Sequence, residues 1–368
     1  MGPLHGVRIL ELGSIGPGPF AAMLLADMGA EVLRLDRKGG GMMVPPHLDP
    51  TQRGRAARLE VDLKDPADRD LVLELCASAD ALLEGFRPGV MERLGLGPAE
   101  TQARNPKLVF GRMTGYGQEG PMASVAGHDI NYISVAGALG AIARQGERPL
   151  FPLNLVGDYG GGGMFLAFGV VCAILEARGS GQGQVVDAAM VDGAAVLCSL
   201  MYGLRAAGAW SDVPGTNLLD SGAHFYEVYE TADGGFVSVG AIEPQFYARL
   251  LELLEIPADD MPQFAHDRWP EFKERLAAIF KGRDRDAWAQ LLEHEEACAT
   301  VVRGFADAHE HPHMQARGAF VELDGVLQPA AAPRFDRTPS EARRGERDAA
   351  EVLAAWGVGE RAQARAAS

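Results

Sequence analysis

Cysteine is scarce in this 368-residue chain: four in all (Cys76, Cys172, Cys198 and Cys298), with no C-x-x-C spacing. That excludes a disulfide-stapled scaffold and a zinc ribbon, and it reads as buried free thiols in a reducing cytoplasm. Long apolar runs are lacking too. The longest, Met164 to Leu175, falls short of the roughly 20 residues of a membrane span, so a buried helix is expected there and no span. Met1 to Gly13 has no basic segment ahead of an apolar stretch, and the final ARAAS is no peroxisomal address, so a cytoplasmic location is expected. Positive charge is short, with a formal net charge of −16, which argues against general nucleic-acid binding through phosphates. There is no G-x-S-x-G and no P-loop lysine motif. His294 lacks the second histidine of a zincin helix, and the run His309 to His313 is interrupted by Pro312, so no metal is expected.

What is present is an α/β pattern. Strand-like Val7–Leu12, a helix after Gly18, Glu31–Leu35, a helix over Asp68–Ser78, Ala81–Glu84 and Leu108–Met113 follow one another. Such alternation predicts a Rossmann-like parallel sheet with helices on its faces. A Gly-rich turn near Arg178 and a short strand lead to one long helical pattern, Val191 to Ala207. From Phe225 the period changes to two around Asp233-Gly234-Gly235, a hairpin, and helices follow over Pro244–Leu254, Trp269–Phe280 and Asp286–Glu295. The expected organisation is a large α/β domain, 1–190, completed by 330–368; a linker, 191–224; a small α+β domain, 225–318; and a loop-rich return, 319–329.

The glycine loop Gly16-x-Gly18-x-x-Ala21, with Asp36 about 20 residues on, is close to a dinucleotide fingerprint. Pro17 and Pro19 argue against that reading. Each removes a backbone N–H from the turn, and a phosphate cradle depends on those donors. The turn suits the wall of a cleft better. Charge is also uneven: Arg34 to Lys64 holds seven basic against four acidic residues, which fits a compact polyanion as well as a solvated loop.

Three side chains carry possible chemistry. His128 precedes an apolar-periodic helix, where the helix N-terminus disfavours a cationic imidazole; it is either a neutral proton acceptor or a capping residue. Asp158 is read as the end of a short strand, before four glycines (Gly160 to Gly163) that open a buried helix. It is a cap or a carboxylate presented in a cleft, and the glycines suggest close approach by something. Glu243, ahead of Pro244, is a cap or a group that orients a histidine.

Together, LGSIGPGPFAAMLLADMGAEVLRLDR, VDLK, EGFRPGVMERLGLGP, GHDINYISVAGALGAI, NLVGDYGGGGMF, GQGQVVDAAMVDG and VGAIEPQFY resemble the α-methylacyl-CoA racemases, within the family III CoA-transferases. The resemblance runs from residue 4 to about 320, weakly through the last helix, and is nearest to the bacterial branch. It implies an interlocked homodimer whose active site lies between the large domain of one subunit and the small domain of the other. It places coenzyme A, as part of an acyl-CoA substrate and with no separate cofactor, against Arg37, Val61, Asp62, Leu63, Lys64, Gly85, Phe86, Arg87, Arg93, Gly127, Asp129, Ile130, Asn131 and Tyr132. His128 and Asp158 match the family's acid/base pair, and Glu243 the carboxylate behind the histidine.

Inverting a carbon α to a thioester needs a base on one face and an acid on the other, with donors for the enolate oxygen. The rival activity within the family is CoA transfer with Asp158 as nucleophile. His128 separates the two, because the transferases resembled carry an aromatic residue at that position.

Overall fold

Strand β1 (Arg8–Leu12) sends Ile9 to one face of a sheet and Leu10 and Leu12 to the other, and all three are buried. A strand buried on both sides belongs in the middle of a parallel sheet. The other strands of the sheet are β2 (Glu31–Arg37), β3 (Arg55–Val61), β4 (Ala81–Glu84), β5 (Val109–Thr114) and β6 (Val185–Ala189), in the order β3-β2-β1-β4-β5-β6. Every pairing is parallel. This is a doubly wound order, with its direction reversing between β1 and β4.

The structure is a computed structural model and describes residues 2–40 and 44–359. Helices α1 (Pro17–Asp27), α2 (Pro66–Ser78), α3 (Asp129–Val135), α4 (Met164–Ser180) and α5 (Met190–Leu197) accompany the sheet. Ala21, Ala22 and Leu25 of α1 pack with Leu166, Val170 and Ile174 of α4 over Ile9, Val32 and Leu83. On the opposite face, Leu71 and Leu75 of α2 pack with Val352, Leu353 and Trp356 over Leu10, Leu33 and Phe110. The residues divide into two compact units: Met1–Ala136, Pro152–Cys198 and Pro312–Ser368 in one, Gly137–Phe151 and Ser199–His311 in the other. The larger unit also holds an antiparallel hairpin, Phe320–Leu323 with Val326–Pro329, within the segment expected to be a loop-rich return.

The second unit is an antiparallel sheet of β7 (Tyr226–Glu230), β8 (Phe236–Gly240) and β9 (Ala299–Val301). The hairpin over Asp233-Gly234-Gly235 is present, whereas β9, three residues long, is too short to show period two in the sequence. Helices α6 (Ser199–Ala206), α7 (Pro244–Leu253), α8 (Trp269–Phe280) and α9 (Arg285–Leu292) belong to this unit. Its core gathers Phe225, Tyr247, Phe272, Phe280 and Trp288.

Two local expectations are corrected. The long helix over 191–207 is broken at Cys198, whose N–H closes back on the Ala195 carbonyl, three residues away. And Asp158 does not end a strand. Residues Leu155–Gly163 form a π-helix that runs directly into α4. The apolar letters of Leu153-Asn154-Leu155-Val156 imitate a strand, but Leu153 turns the chain with a φ of 54° and the helix begins at once.

As a result, Leu155–Ser180 is one stretch of 26 helical residues, long and apolar enough by length and composition to cross a membrane, although the run Met164 to Leu175 alone is not. One side of it, with Leu166, Val170, Ile174 and Ala177, lies in the core of the larger unit. The other side is open: Met164, Phe168 and Leu175 are 49%, 70% and 73% exposed, so this helix is only half buried by its own chain.

Candidate active site

The carboxyl ends of parallel strands, at the point where strand order reverses, are where an open α/β sheet leaves a crevice. Here the loops after β1 and β4 meet: a β-carbon at Gly85 would stand 3.0 Å from Ser14 Cβ. The β1 loop is held rigid from below. Glu11 pairs with Arg34 at 2.5 Å and with Arg55 at 2.9 Å. Burial opposes the Glu11 charge, but the two guanidiniums prevail and keep its carboxyl below the usual range. The same arginines hold the loop backbone, Arg34 donating to the Ser14 carbonyl and Arg55 to that of Pro19.

Helix α1 begins at Gly16 with φ 68° and no side-chain cap, and Pro17 stands at its start. The Phe20 N–H is spent on the Gly16 carbonyl. With Pro17 and Pro19 lacking N–H groups, this turn offers few donors to a phosphate. What faces it is Asp158: a β-carbon at Gly16 would lie 3.3 Å from Asp158 Oδ2.

Asp158 is half buried within the π-helix. Its Oδ2 accepts from Asn154 Nδ2 at 3.1 Å. Burial raises its carboxyl above the ordinary range, the Asn154 hydrogen bond lowers it, and the charge of Asp129 raises it again; the net direction is up. His128 acts in the opposite sense from close enough to matter. The imidazole is exposed on the residue that caps α3, and its backbone N–H donates to Asn131 Oδ1 at 3.0 Å. A histidine and a carboxyl whose pKa burial raises above its ordinary value thus share one edge of the larger unit. Such a pair can take a proton from one side of a carbon and return one to the other.

The glycines are explained by packing. A β-carbon at Gly193 of α5 would stand 2.6 Å from the Gly161 carbonyl carbon and 2.7 Å from its Cα, and one at Gly161 would stand 2.6 Å from the Ala194 nitrogen. One at Gly162 would lie 3.1 Å from Pro17 Cβ, and one at Gly163 would lie 2.6 Å from Phe20 Cδ1. The close approach inferred from the sequence is therefore made by α5 and α1, rather than by a ligand.

The residues expected to hold coenzyme A are spread along the same strand ends. Arg37 ends β2 and is exposed; Val61 ends β3 with its side chain in the core; Asp62, Leu63 and Lys64 form the following turn. Gly85, Phe86 and Arg87 follow β4, where the Phe86 N–H donates to Glu84 Oε2 at 2.7 Å and Arg112 Nε donates to Glu84 Oε1 at 2.9 Å. Arg93 is exposed at the end of the short helix Val90–Arg93. In the Gly127–Tyr132 segment, Ile130 and Asn131 are exposed, while Tyr132 is buried against Tyr116 and donates its hydroxyl to the Gly127 carbonyl. Burial and the nearby Asp158 charge push the Tyr132 phenol up to about 12. Asp129 is buried, and its carboxylate is occupied by backbone N–H groups. Glu243 stands at the N-cap position of α7 in the second unit, makes no side-chain capping hydrogen bond there, and is exposed. Asn154 and Glu84 were not singled out from the sequence; only the four-residue spacing from Asn154 to Asp158 could have pointed to the first of them. Among the described residues, no three His, Cys, Asp or Glu side chains converge as a metal cluster.

Comparison with known proteins agrees with this architecture. The model of the CoA-transferase family III matches residues 4–346. The chain belongs to that family. It is 42% identical to the human alpha-methylacyl-CoA racemase over 340 residues, covering 92% of this chain and 87% of the human protein. It is 44% identical to the mouse alpha-methylacyl-CoA racemase over 342 residues, with the same coverage, 92% and 87%. A crystal structure of the hypothetical protein Rv3272 from Mycobacterium tuberculosis superposes with a TM-score of 0.80 at 27% identity, covering 97% of this chain and 99% of that one.

Proposed function

We propose that this enzyme interconverts the two hands of 2-methylacyl-CoA thioesters by removing and returning the proton on the α-carbon. The observation that carries the reading is the pairing of an exposed His128 with a half-buried Asp158 whose carboxyl retains its proton above the usual range. The likeness to racemases from two mammals supports it. In one direction the neutral imidazole takes the α-proton, the electron pair moves into the thioester carbonyl as an enolate, and the Asp158 carboxyl delivers a proton to the opposite face. In the other direction the roles exchange. The Asp129 and Ile130 N–H groups, first-turn donors without intrahelical partners, would receive the enolate oxygen.

Arg37, Lys64, Arg87 and Arg93 supply positive charge along the strand ends for the phosphates of coenzyme A, with Gly85, Phe86 and the Gly127–Tyr132 segment beside them. No cofactor beyond that coenzyme A is required by the chemistry. We further read the enzyme as a cytoplasmic homodimer, in which Glu243 of a second copy supports His128. The open apolar stripe of Met164, Phe168 and Leu175 is the surface such an assembly would cover.

The test is α-proton exchange of (R)- and (S)-2-methylacyl-CoA in D₂O, followed by NMR with no acceptor acid present. Deuterium entering the α-carbon, with both hands converging on one mixture, is expected. No exchange, together with thioester transfer once a free carboxylic acid is added, would instead make Asp158 the nucleophile of a CoA-transferase.

A further inference from the structure

Asp129 opens α3, where an acid ordinarily sits in solvent and complements its own helix terminus. Here it is buried and turned elsewhere. Its Oδ2 accepts two hydrogen bonds, from the N–H of Gly157 and from the N–H of Asp158, each at 2.7 Å. Those are early donors of the π-helix, which otherwise have no intrahelical acceptor. The fit is close: a β-carbon at Gly157 would lie 2.5 Å from the same Oδ2. The second oxygen, Oδ1, is buried without a hydrogen-bond partner among the described residues.

A cap alone does not account for this arrangement. One uncharged amide oxygen could accept the same two bonds, and burying a charge with a bare oxygen is costly. The negative charge is surplus to the cap. What it adjoins is the residue whose amide it holds.

We propose that Asp129 is a positioning residue for Asp158: its Oδ2 fixes the backbone from which Asp158 projects, and its charge stands behind the Asp158 carboxyl. Because Asp129 also follows His128 directly in the chain, one carboxylate sets the register between the two reacting side chains. The proposal rests on the racemase reading for the role of Asp158. It gives the Asp129 carboxylate this role and leaves only the backbone of Asp129 to face the substrate.

The charged and titratable groups acting on Asp158 are Asp129 and His128, with the Tyr132 phenol one turn further along α3 and Arg87 acting on that phenol from the β4 loop. Gly16, Pro17, Phe20, Gly193 and Ala194, from the elements packed on the π-helix, bring no charge. Replacing Asp129 by an isosteric amide therefore removes a like charge that raises the Asp158 carboxyl.

The experiment uses the full-length enzyme and two variants. In Asp129→Ala, amide hydrogen exchange in peptides spanning 155–163, read by mass spectrometry on the resting protein, should quicken by roughly tenfold or more, because the acceptor is gone. In Asp129→Asn, which keeps an acceptor, that exchange should stay within about twofold of wild type. The kcat of this variant should fall by about tenfold to a hundredfold with KM for the acyl-CoA little changed. The limb of its pH profile assigned to Asp158 should move to lower pH. Unchanged amide exchange in Asp129→Ala would overturn the proposal, as would an Asp129→Asn enzyme with raised KM but intact kcat and pH profile. Should Asp129→Ala not fold, the Asp129→Asn profile decides. A wild-type enzyme without α-proton exchange would sink the racemase reading alone, and the amide-exchange comparison would still decide whether Asp129 holds Asp158.

Discussion

Replacing Gly193 by alanine places a methyl group between α5 and the π-helix, where the two meet backbone to backbone. The new β-carbon would stand 2.6 Å and 2.7 Å from two Gly161 carbon atoms. Carbon atoms settle at about 3.5 Å or more, so the elements must part by roughly 1 Å. Both sides of this contact are main chain, and no flexible side chain can yield. The cost should fall at the upper end of overpacking penalties, about 3 kcal/mol. For a unit of this size that corresponds to a fall in Tm of about 6–12 °C. The π-helix carries Asp158, so a displacement of that size should also cut kcat on the order of a hundredfold. The assay is thermal unfolding by circular dichroism beside α-proton exchange. The control is Gly179→Ala, in α4 of the same unit, where a β-carbon meets nothing within 4 Å; it should keep wild-type activity and gain or hold stability. A Gly193→Ala enzyme matching the control in Tm and rate would refute the argument that backbone contact at Gly161 sets the position of Asp158.

His128→Ala and Asp158→Ala should each lower the racemisation rate by roughly 10²–10⁴-fold. Each should still wash deuterium, with retention, into the one enantiomer whose proton faces the surviving group; exchange of both hands in either variant would contradict a two-sided mechanism. In the second unit, buried His224 bonds through Nε2 to the Tyr247 hydroxyl at 2.7 Å, and that hydroxyl donates to the Met261 carbonyl at 2.8 Å. Nε2 must therefore carry the hydrogen, which leaves a bare Nδ1 in the core. Burial, helped by Lys273, lowers this imidazole from 6.5 to about 4. Between those values the unfolded chain binds more protons than the folded one. The stability contribution is thus complete above about pH 6.5 and is lost progressively down to about pH 4, by up to roughly 3 kcal/mol. Urea midpoints across that range should slope more steeply for wild type than for His224→Asn, and parallel slopes would disprove the assignment.

The parallel sheet was legible in the sequence, because strands buried on both faces and separated by helical periods leave few other arrangements. The hairpin around Asp233-Gly234-Gly235 was legible for a similar reason: turn chemistry and period two are local. The prolines of the opening loop also spoke for themselves, since a missing N–H is a property of the residue. His128 and Asp158 could be picked out as residues of interest, and the likeness of the surrounding motifs gave them an expected role.

The tertiary structure decided what those residues touch. The sequence of Asn154 to Gly163 carries an apolar stretch, an acid and four glycines, which suit a strand end as well as a helix. In the fold it is a π-helix: the Asp129 carboxylate takes up the Gly157 and Asp158 donors from 28 and 29 positions away in the chain, and the bare backbone of α5 lies against Gly161. Asp129 stands in the first turn of α3, and only packing turned its side chain inward. Hydrophobic period and turn chemistry act over a few residues and can be read along the chain. The orphan donors of one helix and the carboxylate that satisfies them are joined only by folding, and no local pattern records the partner.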